Sequence, residues 1–167
     1  MEAAYLYEPL DVAVHDRCAF SCGSEPLDQY LRQQARRDMH NHVAAVYVQR
    51  TTDSPAILGY YTISTLAIEA VDLPSELITH VPRYPALPAA LIGRLAVDLR
   101  HRGIGLGGLL LFDASRRSLR SGIASMAVVV DAKDGVASGF YERCGFRRFQ
   151  NHPDRLFLRF KDIEAVV

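Results

Sequence analysis

Three glycines at alternating positions are the feature of this chain best suited to chemistry. Gly103, Gly105 and Gly107 follow an apolar run, residues 89–97, and precede a stretch with the apolar spacing of a helix. Glycine lets the backbone turn tightly and approach a ligand closely. The first N–H groups of a helix lack intrahelical acceptors and, with the helix dipole, favour an anion. The pattern therefore predicts a phosphate or pyrophosphate site.

The spacing of these glycines excludes two common nucleotide-binding loops. A Walker loop requires G-x-x-x-x-G-K-[ST], and no lysine stands in this segment. A Rossmann loop requires G-x-G-x-x-G after the first strand, whereas these glycines lie in the second half of the chain. The remaining alternative is a glycine-rich helix start without a ligand. It is disfavoured because glycines weaken a helix start without a structural gain.

The elements that must position this loop follow from apolar periodicity and turn residues. Strands are predicted over residues 5–14, 43–49, 57–70, 89–97, 126–130 and 155–160, and helices over 26–39, 103–121 and 134–143. A turn at 51–55 joins the second and third strands into a hairpin. Residues 73–84 are expected to contain a short helix at most, because prolines interrupt them. The order predicts a mixed sheet with helices on its faces, in one domain spanning 1–167.

Local residue types predict where the first helix begins and which face of the later helix is buried. Ser24 is the expected N-cap of the first helix, with Pro26 in its first turn. The helix after the glycines is expected to bury an apolar stripe of Leu106, Leu109, Leu110 and Ala114.

Of the adjacent Tyr60 and Tyr61 in the third predicted strand, one must face inward because strand side chains alternate.

Composition fits one soluble globular domain and excludes a generic polycation. The chain has 167 residues, 49% of them hydrophobic, and a formal net charge of zero. Residues 1–83 hold 6 basic and 11 acidic side chains, and residues 84–167 hold 13 basic and 8 acidic ones. The halves thus carry opposite net charges, which leaves room for a basic face on the second.

Cysteine usage and apolar runs narrow the class of protein further. Cys18, Cys22 and Cys144 are an odd number without repeated spacing, which disfavours a disulfide scaffold and a zinc site. Cys144 is expected to be structural, since no base is evident beside it. No segment resembles a signal peptide or a membrane span. We therefore expect a cytoplasmic protein with no metal and no membrane partner.

The segment Arg100-x-x-Gly103-x-Gly105 resembles the acyl-CoA loop of GNAT-type N-acetyltransferases, whose pattern is Gln/Arg-x-x-Gly-x-Gly/Ala. The resemblance extends over nearly the whole chain. It implies an α/β (α+β) fold with a mixed six- or seven-stranded sheet, helices on both faces and a splayed cofactor cleft. It also implies acetyl-CoA as cosubstrate.

The same resemblance assigns the cofactor-binding residues. The backbone of Leu95, Ala96 and Val97 is expected to pair with the pantetheine arm. The pyrophosphate is expected at the loop and the helix start, formed by Arg102, Gly103, Ile104, Gly105, Leu106, Gly107 and Gly108. Arg100 opens the turn, so Arg102 is the arginine expected to touch the ligand.

Further motifs in one order resemble the GNAT toxins of type II toxin–antitoxin modules. They include Phe20-Ser-Cys-Gly23, Gly59-Tyr-Tyr-Thr-Ile-Ser64, Pro82-Arg-Tyr-Pro85 and Phe140-Tyr-Glu-Arg-Cys-Gly-Phe146. Such enzymes acetylate the free α-amine of aminoacyl-tRNA and so block translation. The resemblance implies a small ribbon-helix-helix antitoxin as partner and a homodimer as assembly.

The resemblance also implies the catalytic groups. Tyr141 is expected to protonate the departing thiolate, with a packing tyrosine as the alternative. The Val97 N–H is expected to meet the oxyanion. Candidate bases by position are Glu69, Asp98, Asp131 and Glu142. Because an α-amine has a pKa of about 7.7–8.0, no single carboxylate is expected to be indispensable.

Arginines supply the expected RNA contacts, since guanidinium groups bind phosphate bidentately. The candidates are Arg32, Arg36, Arg37, Arg83, Arg94, Arg147 and Arg148; a solvated charged face is the simpler explanation for each alone. Aromatic residues Tyr60, Tyr61, Tyr84 and Phe140 are candidate walls of an acceptor pocket. Two alternative functions stay open at this point. One is a GNAT acting on a small amine or a protein N-terminus, and the other is an inactive acyl-CoA-binding module.

Overall fold

The computed structural model describes residues 4–78 and 84–164. Its strands are β1 (Tyr5–Pro9), β2 (Ala45–Thr51), β3 (Gly59–Glu69), β4 (Ala86–Val97), β5 (Ala127–Asp131), β6 (Arg147–Arg148) and β7 (Arg155–Arg159). Its α-helices within the described residues are α1 (Glu25–Gln29), α2 (Ala35–His40), α3 (Ser75–Ile78), α4 (Leu106–Leu119), α5 (Gly135–Arg143) and α6 (Phe160–Glu164).

The strands form a mixed seven-stranded sheet in the order β1-β2-β3-β4-β5-β7-β6. The pairs β1–β2, β2–β3, β5–β7 and β6–β7 are antiparallel, whereas β4 and β5 run parallel. The predicted hairpin of the second and third strands is confirmed, with Ala45 opposite Ile63. The mixed sheet predicted from the order of elements is confirmed as well.

Close contacts within the chain cluster into two compact units. Unit 1 comprises Met1–Ser64 and Gly93–Ala114, and unit 2 comprises Thr65–Ile92 and Ser115–Val167. Strands β3 and β4 and helix α4 therefore contribute residues to both. The glycine loop belongs to unit 1, and Tyr141 belongs to unit 2.

In unit 1, apolar side chains cover both faces of β3. Tyr60 and Tyr61 are each 0% exposed. The Tyr60 hydroxyl donates to the carbonyl of Leu27 in α1 at 2.7 Å, while the Tyr61 hydroxyl donates to the Asp113 carboxylate in α4. Neighbouring strand residues point to opposite faces. One of these tyrosines was expected to face inward, and the structure buries both, because helices cover both sides of this strand.

The first helix is less regular than its periodicity predicts. A π-helical segment, Tyr30–Gln34, separates α1 from α2. Ser24 occupies the N-cap position of α1, as expected, but its side chain makes no capping hydrogen bond. The first strand ends at Pro9 rather than at residue 14, because residues 11–15 form a turn in which the Asp11 carboxylate accepts from the Ala13 N–H at 2.9 Å.

In unit 2, β5 is apolar on both sides, and Ala127 and Val129 join a core with Ile68, Leu87 and Phe157. The registered pairs between β4 and β5 run from Ala90 and Val128 to Ile92 and Val130. Two elements of this unit, β6 and α6, are absent from the sequence prediction. A two-residue strand and a five-residue helix are too short to show periodicity.

The buried stripe of α4 differs at one position from the prediction. Leu106, Leu110 and Ala114 are buried, but Leu109 is 42% exposed and Leu111 takes its place in the core. The helix begins at Leu106 rather than at residue 103, which leaves Gly103 and Gly105 in the preceding turn. The backbone conformation of these two glycines explains this start, as described below.

Candidate active site

Asp98 anchors the turn that connects β4 to the glycine loop. Its N–H donates to the Leu58 carbonyl at 2.8 Å, and the next N–H, of Leu99, donates to the Ser21 carbonyl at 2.9 Å. The Asp98 carboxylate accepts the backbone N–H groups of Arg100 and Ser21. The side chain is 1% exposed. A buried carboxylate therefore fixes the end of the strand at the point where the loop begins.

The Arg100 guanidinium is the charged partner of this carboxylate. Its Nε and Nη2 donate to the two Asp98 oxygens at 2.9 and 3.1 Å. Burial alone would raise the pKa of the Asp98 carboxyl, but the hydrogen bonds from Arg100 and Ser21 outweigh it and lower the pKa to about 2. Arg100 thus supports the turn, in agreement with the expectation that it opens the loop.

The loop itself exposes backbone rather than side chains. Gly103 and Gly105 have φ values of +78° and +86°, which side-chain-bearing residues rarely adopt. A Cβ at either position would meet no described atom within 4 Å, so the space beside the backbone is open. The Leu109 N–H makes a helical bond to the Gly105 carbonyl at 3.2 Å. The N–H groups of residues 106–108 precede that bond, at the positive end of α4.

Arg102 stands at the start of this loop. Its Nη2 donates to the carbonyl of Cys22 at 2.5 Å, and Gly23 with φ of +85° follows that carbonyl. One face of the guanidinium is therefore held by the backbone of the N-terminal segment of unit 1. The guanidinium thus stands beside the backbone that precedes Gly23, and its expected contact with the ligand stays a prediction.

The end of β4 presents alternate backbone groups to its two sides. The Asp98 N–H bonds to Leu58, and the Ala96 carbonyl lies 2.9 Å from the position of a Cβ on Gly59. Both groups thus face β3, and Gly59 is required for this close approach. Because successive residues of a strand direct their backbone groups to opposite sides, the N–H and C=O groups of Leu95 and Val97 face away from β3.

Tyr141 lies on α5 in unit 2. Asp134 caps this helix by accepting the Ala137 N–H at 2.8 Å. The Tyr141 ring is buried, with centroids 5.2 Å from Phe140 and 5.8 Å from Phe146. Burial, followed by the nearby Cys144 and Asp131, raises the pKa of the Tyr141 hydroxyl to about 12. The phenol therefore keeps its proton at neutral pH, as a general acid must.

Three of the four candidate bases are held in ion pairs. Asp98 binds Arg100, as described above. Asp131 accepts two hydrogen bonds from Arg155, at 2.8 and 3.1 Å, and Glu142 pairs with Arg148. A carboxylate whose lone pairs accept from a guanidinium is a poor proton acceptor. The arrangement favours structural roles for these three side chains.

The six candidate RNA-binding arginines among the described residues fall into three pairs. Arg32 donates to the Phe20 carbonyl at 2.6 Å, and the Arg94 guanidinium stacks 3.6 Å from the centroid of the Tyr30 ring. By contrast, Arg36 and Arg37 are exposed on α2, and within the described part of the chain neither has an ion-pair partner. Arg147 and Arg148 are exposed but pair with Glu76 and Glu142. Arg83 lies outside the described residues.

Other candidates are placed as follows. Tyr60 and Tyr61 are fully buried, so they cannot wall an accessible acceptor pocket; Tyr84 is 63% exposed. Burial raises the pKa of the Cys144 thiol, which disfavours a thiolate nucleophile.

Among residues 4–78 and 84–164, no three His, Cys, Asp or Glu side chains are arranged to hold a metal ion. No helix in the same residues is long and apolar enough to cross a bilayer.

One contact of potential function escaped the sequence analysis. The His152 Nε2 lies 3.1 Å from the Asp72 carboxylate. Eighty positions separate the two residues, so no local spacing could have indicated that they meet.

The comparisons with known proteins agree with this geometry. Residues 87–163 match the model of the acetyltransferase (GNAT) domain. The chain is 32% identical over 176 residues to a probable toxin TacT of Sinorhizobium fredii, covering 99% of this chain and 96% of the relative. This chain belongs to the GNAT acetyltransferase family. Members of this family use acetyl-CoA as acetyl donor, so the chain is an N-acetyltransferase that uses this cosubstrate.

A second GNAT relative is a tRNA-acetylating toxin of Mycobacterium tuberculosis, 32% identical over 157 residues, covering 91% of this chain and 90% of the relative. Among solved GNAT structures, AtaT complexed with acetyl-methionyl-tRNAfMet has a TM-score of 0.90 at 29% identity, covering 98% of this chain and 99% of that one. AtaTR bound with AcCoA has a TM-score of 0.82 at 30% identity, covering 97% of each chain. The similarity therefore spans at least 91% of this chain, and the two curated relatives are named a probable toxin and a tRNA-acetylating toxin.

Proposed function

We propose that this GNAT acetyltransferase is a toxin that transfers the acetyl group of acetyl-CoA to the α-amine of the amino acid on charged tRNA. The observation that carries the proposal is the glycine loop, with its left-handed glycines ahead of α4, in a chain similar along its full length to tRNA-acetylating toxins. N-acetylation removes the nucleophilic amine that peptide-bond formation requires. Translation stops as a consequence.

The cofactor site rests on unit 1. The loop fits a pyrophosphate because its glycines leave open space where side chains would stand and because the N–H groups at the start of α4 attract an anion. Arg102, Gly103, Ile104, Gly105, Leu106, Gly107 and Gly108 bind the phosphates. The backbone of Leu95 and Val97 pairs with the pantetheine arm, whereas Ala96, whose carbonyl faces β3, contributes packing. Bound acetyl-CoA supplies an activated thioester.

The chemistry needs one proton donor and one oxyanion donor. The amine nitrogen attacks the thioester carbonyl, the new C–N bond forms, and the C–S bond then breaks. The Val97 N–H donates to the oxyanion of the tetrahedral intermediate. Tyr141, protonated at neutral pH, donates to the departing sulfur and regains a proton from the amine nitrogen, which must lose one to become an amide.

The tRNA is held by phosphate contacts from exposed arginines. Arg36 and Arg37 on α2 are the leading candidates, since their charge is not offset by a carboxylate within the described residues. Arg147 and Arg148 must share their guanidinium groups with glutamates, so each gains less from a phosphate. Arg32 and Arg94 act through their contacts inside unit 1. Arg83 is proposed on the resemblance alone.

The resemblance also supports the proposed partners. An antitoxin of the ribbon-helix-helix class holds the toxin inactive, and the toxin assembles as a homodimer that doubles its basic surface. Charged tRNA is the substrate, so the proposed compartment is the cytoplasm. Residues 1–167 act as a single acetyltransferase domain.

Expression in a bacterial host, combined with acetylation assays, tests the proposed function. We expect growth arrest with the wild-type chain, relief by Tyr141→Phe, and transfer of labelled acetyl groups to charged but not to deacylated tRNA. A harmless protein that acetylates a polyamine or a peptide N-terminus instead would make it an ordinary amine acetyltransferase. Binding of acetyl-CoA without turnover on any amine would leave an inactive binding module.

A further inference from the structure

A histidine–aspartate pair in unit 2 has the geometry of a proton relay. Asp72 ends the 3₁₀ turn after β3, and His152 lies in the loop between β6 and β7. The Asp72 Oδ2 lies 3.1 Å from the His152 Nε2, and its Oδ1 accepts from the Asn151 side chain at 3.0 Å. The Asp72 carbonyl accepts the Gln150 N–H at 3.3 Å. Three consecutive residues of the loop are therefore fastened to Asp72.

These contacts determine which imidazole nitrogen is basic. An ionised carboxylate can only accept hydrogen bonds, so the Nε2 that faces Asp72 carries the proton of the neutral ring. The Nδ1 atom is then left with a lone pair. The His152 side chain is 51% exposed while that of Asp72 is 13% exposed. The pair thus has a mostly shielded orienting group and a half-exposed imidazole, the arrangement of a general base.

The pair lines a cavity suited to a cationic group. A depression of about 320 Å³ is lined by Glu69, Asp72, His152 and Arg155 over an apolar floor of Ile68 and Phe149. An adjoining depression of about 380 Å³ shares His152 and Arg155 and adds Asp131 and Asp154. Four acidic residues and one arginine thus line the two depressions, and the arginine is already paired with Asp131 through two hydrogen bonds. This charge favours an ammonium ion and disfavours a phosphate.

Asp131 also relates the cavity to Tyr141. It acts electrostatically on the Tyr141 hydroxyl and lines the same depression as His152. The carboxylate therefore lies within electrostatic range of the proposed proton donor and in the same depression as the proposed proton acceptor.

We propose that His152, oriented by Asp72, is the catalytic base that accepts the proton of the acceptor ammonium group. The proposal rests on the proposed transfer of acetyl groups to aminoacyl-tRNA. A protonated α-amine enters the cavity, and its N–H proton passes to the His152 Nδ1. The neutral nitrogen then attacks the thioester carbonyl, the C–N bond forms, and the C–S bond breaks as Tyr141 gives its proton to the sulfur. The surplus proton on the nitrogen replaces the one lost by Tyr141, and His152 releases its proton to water. Atoms and charge balance, with one proton released per acetyl group transferred.

The expected effect is moderate and depends on pH. An α-amine with a pKa of about 7.7–8.0 is roughly one-tenth neutral at pH 7, so an enzyme without a base can still use that fraction. His152→Ala should therefore lower kcat/KM about tenfold at pH 6.5–7 and by less than twofold at pH 9. The acidic limb of the plot of kcat/KM against pH should shift to higher pH, toward the pKa of the amine.

Additional variants separate proton transfer from packing. Added imidazole should restore activity to His152→Ala at pH 7 but not to His152→Gln, whose side chain fills the space of the ring. Asp72→Asn permits the other tautomer, so it should give a smaller defect with the same pH dependence. His40→Ala, which removes an exposed histidine of α2, is the matched control and should leave the profile unchanged.

The measurement is acetyl transfer from labelled acetyl-CoA to total charged tRNA between pH 6 and pH 9, with acetyl-CoA affinity and thermal unfolding measured for each variant. A defect in His152→Ala that is equal at all pH values, or no defect at all, would overturn the role of His152. A wild-type protein that does not acetylate charged tRNA at any pH would instead refute the proposed function.

Discussion

The glycine loop of unit 1 and the Tyr141 region of unit 2 use different parts of the chain for chemistry. In the loop, Gly103 and Gly105 carry no side chains, and the two arginines before them make structural contacts, Arg100 with Asp98 and Arg102 with the Cys22 carbonyl. Backbone N–H groups and their orientation are what the loop offers to a ligand. Around Tyr141, the helical backbone already makes its own hydrogen bonds, so the reactive groups are side chains. They are a hydroxyl with a raised pKa and an imidazole oriented by a carboxylate.

This difference separates binding from chemistry. A pyrophosphate is recognised by many weak N–H donors, which depend on backbone conformation, so a change of φ disturbs binding. Proton transfer depends on one hydroxyl or one imidazole, so a single-atom deletion disturbs the rate. Variants of the loop should therefore change affinity for acetyl-CoA, and variants of the Tyr141 region should change turnover.

The largest effect is expected for Tyr141→Phe. Loss of a general acid typically costs 10²–10⁴ in rate, so kcat should fall by about that factor. Affinity for acetyl-CoA and stability should change little, because the ring and its contacts with Phe140 and Phe146 remain. Stopped-flow kinetics of acetyl transfer measure kcat, and calorimetric titration measures the affinity for acetyl-CoA. Tyr5→Phe, an exposed tyrosine of β1, is the control, and a wild-type rate for Tyr141→Phe would refute the assignment.

Asp98→Asn is expected to weaken the hydrogen bonds that hold the turn before the glycine loop. The lowered pKa of Asp98, about 2 against an ordinary value near 3.8, means that its ionised form stabilises the folded state. The contribution, on the order of 2 kcal/mol, is present above about pH 4 and is lost as the pH falls toward 2. Urea unfolding should show the variant less stable than the wild type at pH 7, with the gap closing at pH 2–3. A gap that does not change with pH would contradict this account.

Gly105→Ala should lower affinity for acetyl-CoA about tenfold or more. The alanine must either adopt a φ near +86° at a cost of roughly 1–2 kcal/mol or change the loop. Gly122→Ala is the matched control, because Gly122 has a φ of +79° and equally open surroundings after α4. Both variants should lose similar stability, and only the first should lose affinity. Equal affinity in the two would remove the loop from the cofactor site.

The smallest effect is expected for the arginines. Replacing both Arg36 and Arg37 by glutamine should raise the KM for tRNA several-fold. It should also reduce the slope of log affinity against log salt by about 1.5, since each lost phosphate contact contributes about 0.7–0.9. The double variant of Arg147 and Arg148 should reduce the slope less, because glutamates already pair with these residues. An unchanged slope in the double variant of Arg36 and Arg37 would mean that these two arginines do not contact the tRNA phosphates.

The sequence predicted the parts of this molecule that local patterns encode. The alternation of strands and helices indicated the mixed sheet, and the spacing of Gly103 and Gly105 indicated the loop whose φ values require glycine. The apolar stripe of α4 was correct except at Leu109, because periodicity does not specify which edge of the stripe is covered.

The remaining features depend on tertiary contacts. The π-helical segment places the Tyr30 hydroxyl on Asp38 and its ring under Arg94, and neither contact is visible in spacing. The pairing of His152 with Asp72 joins positions 80 residues apart. The residue roles assigned to Tyr141, Val97 and the loop stay predictions until variants are measured.

The most direct test of the central claim is mass spectrometry of charged tRNA after incubation with the purified protein and acetyl-CoA. Mild alkaline hydrolysis releases the amino acid from the 3′ end, and the acetyl group can then be located. The account predicts N-acetyl amino acids released from charged tRNA, and no such product with Tyr141→Phe. Unmodified amino acids from charged tRNA, together with acetyl groups on a polyamine or on protein N-termini, would contradict it.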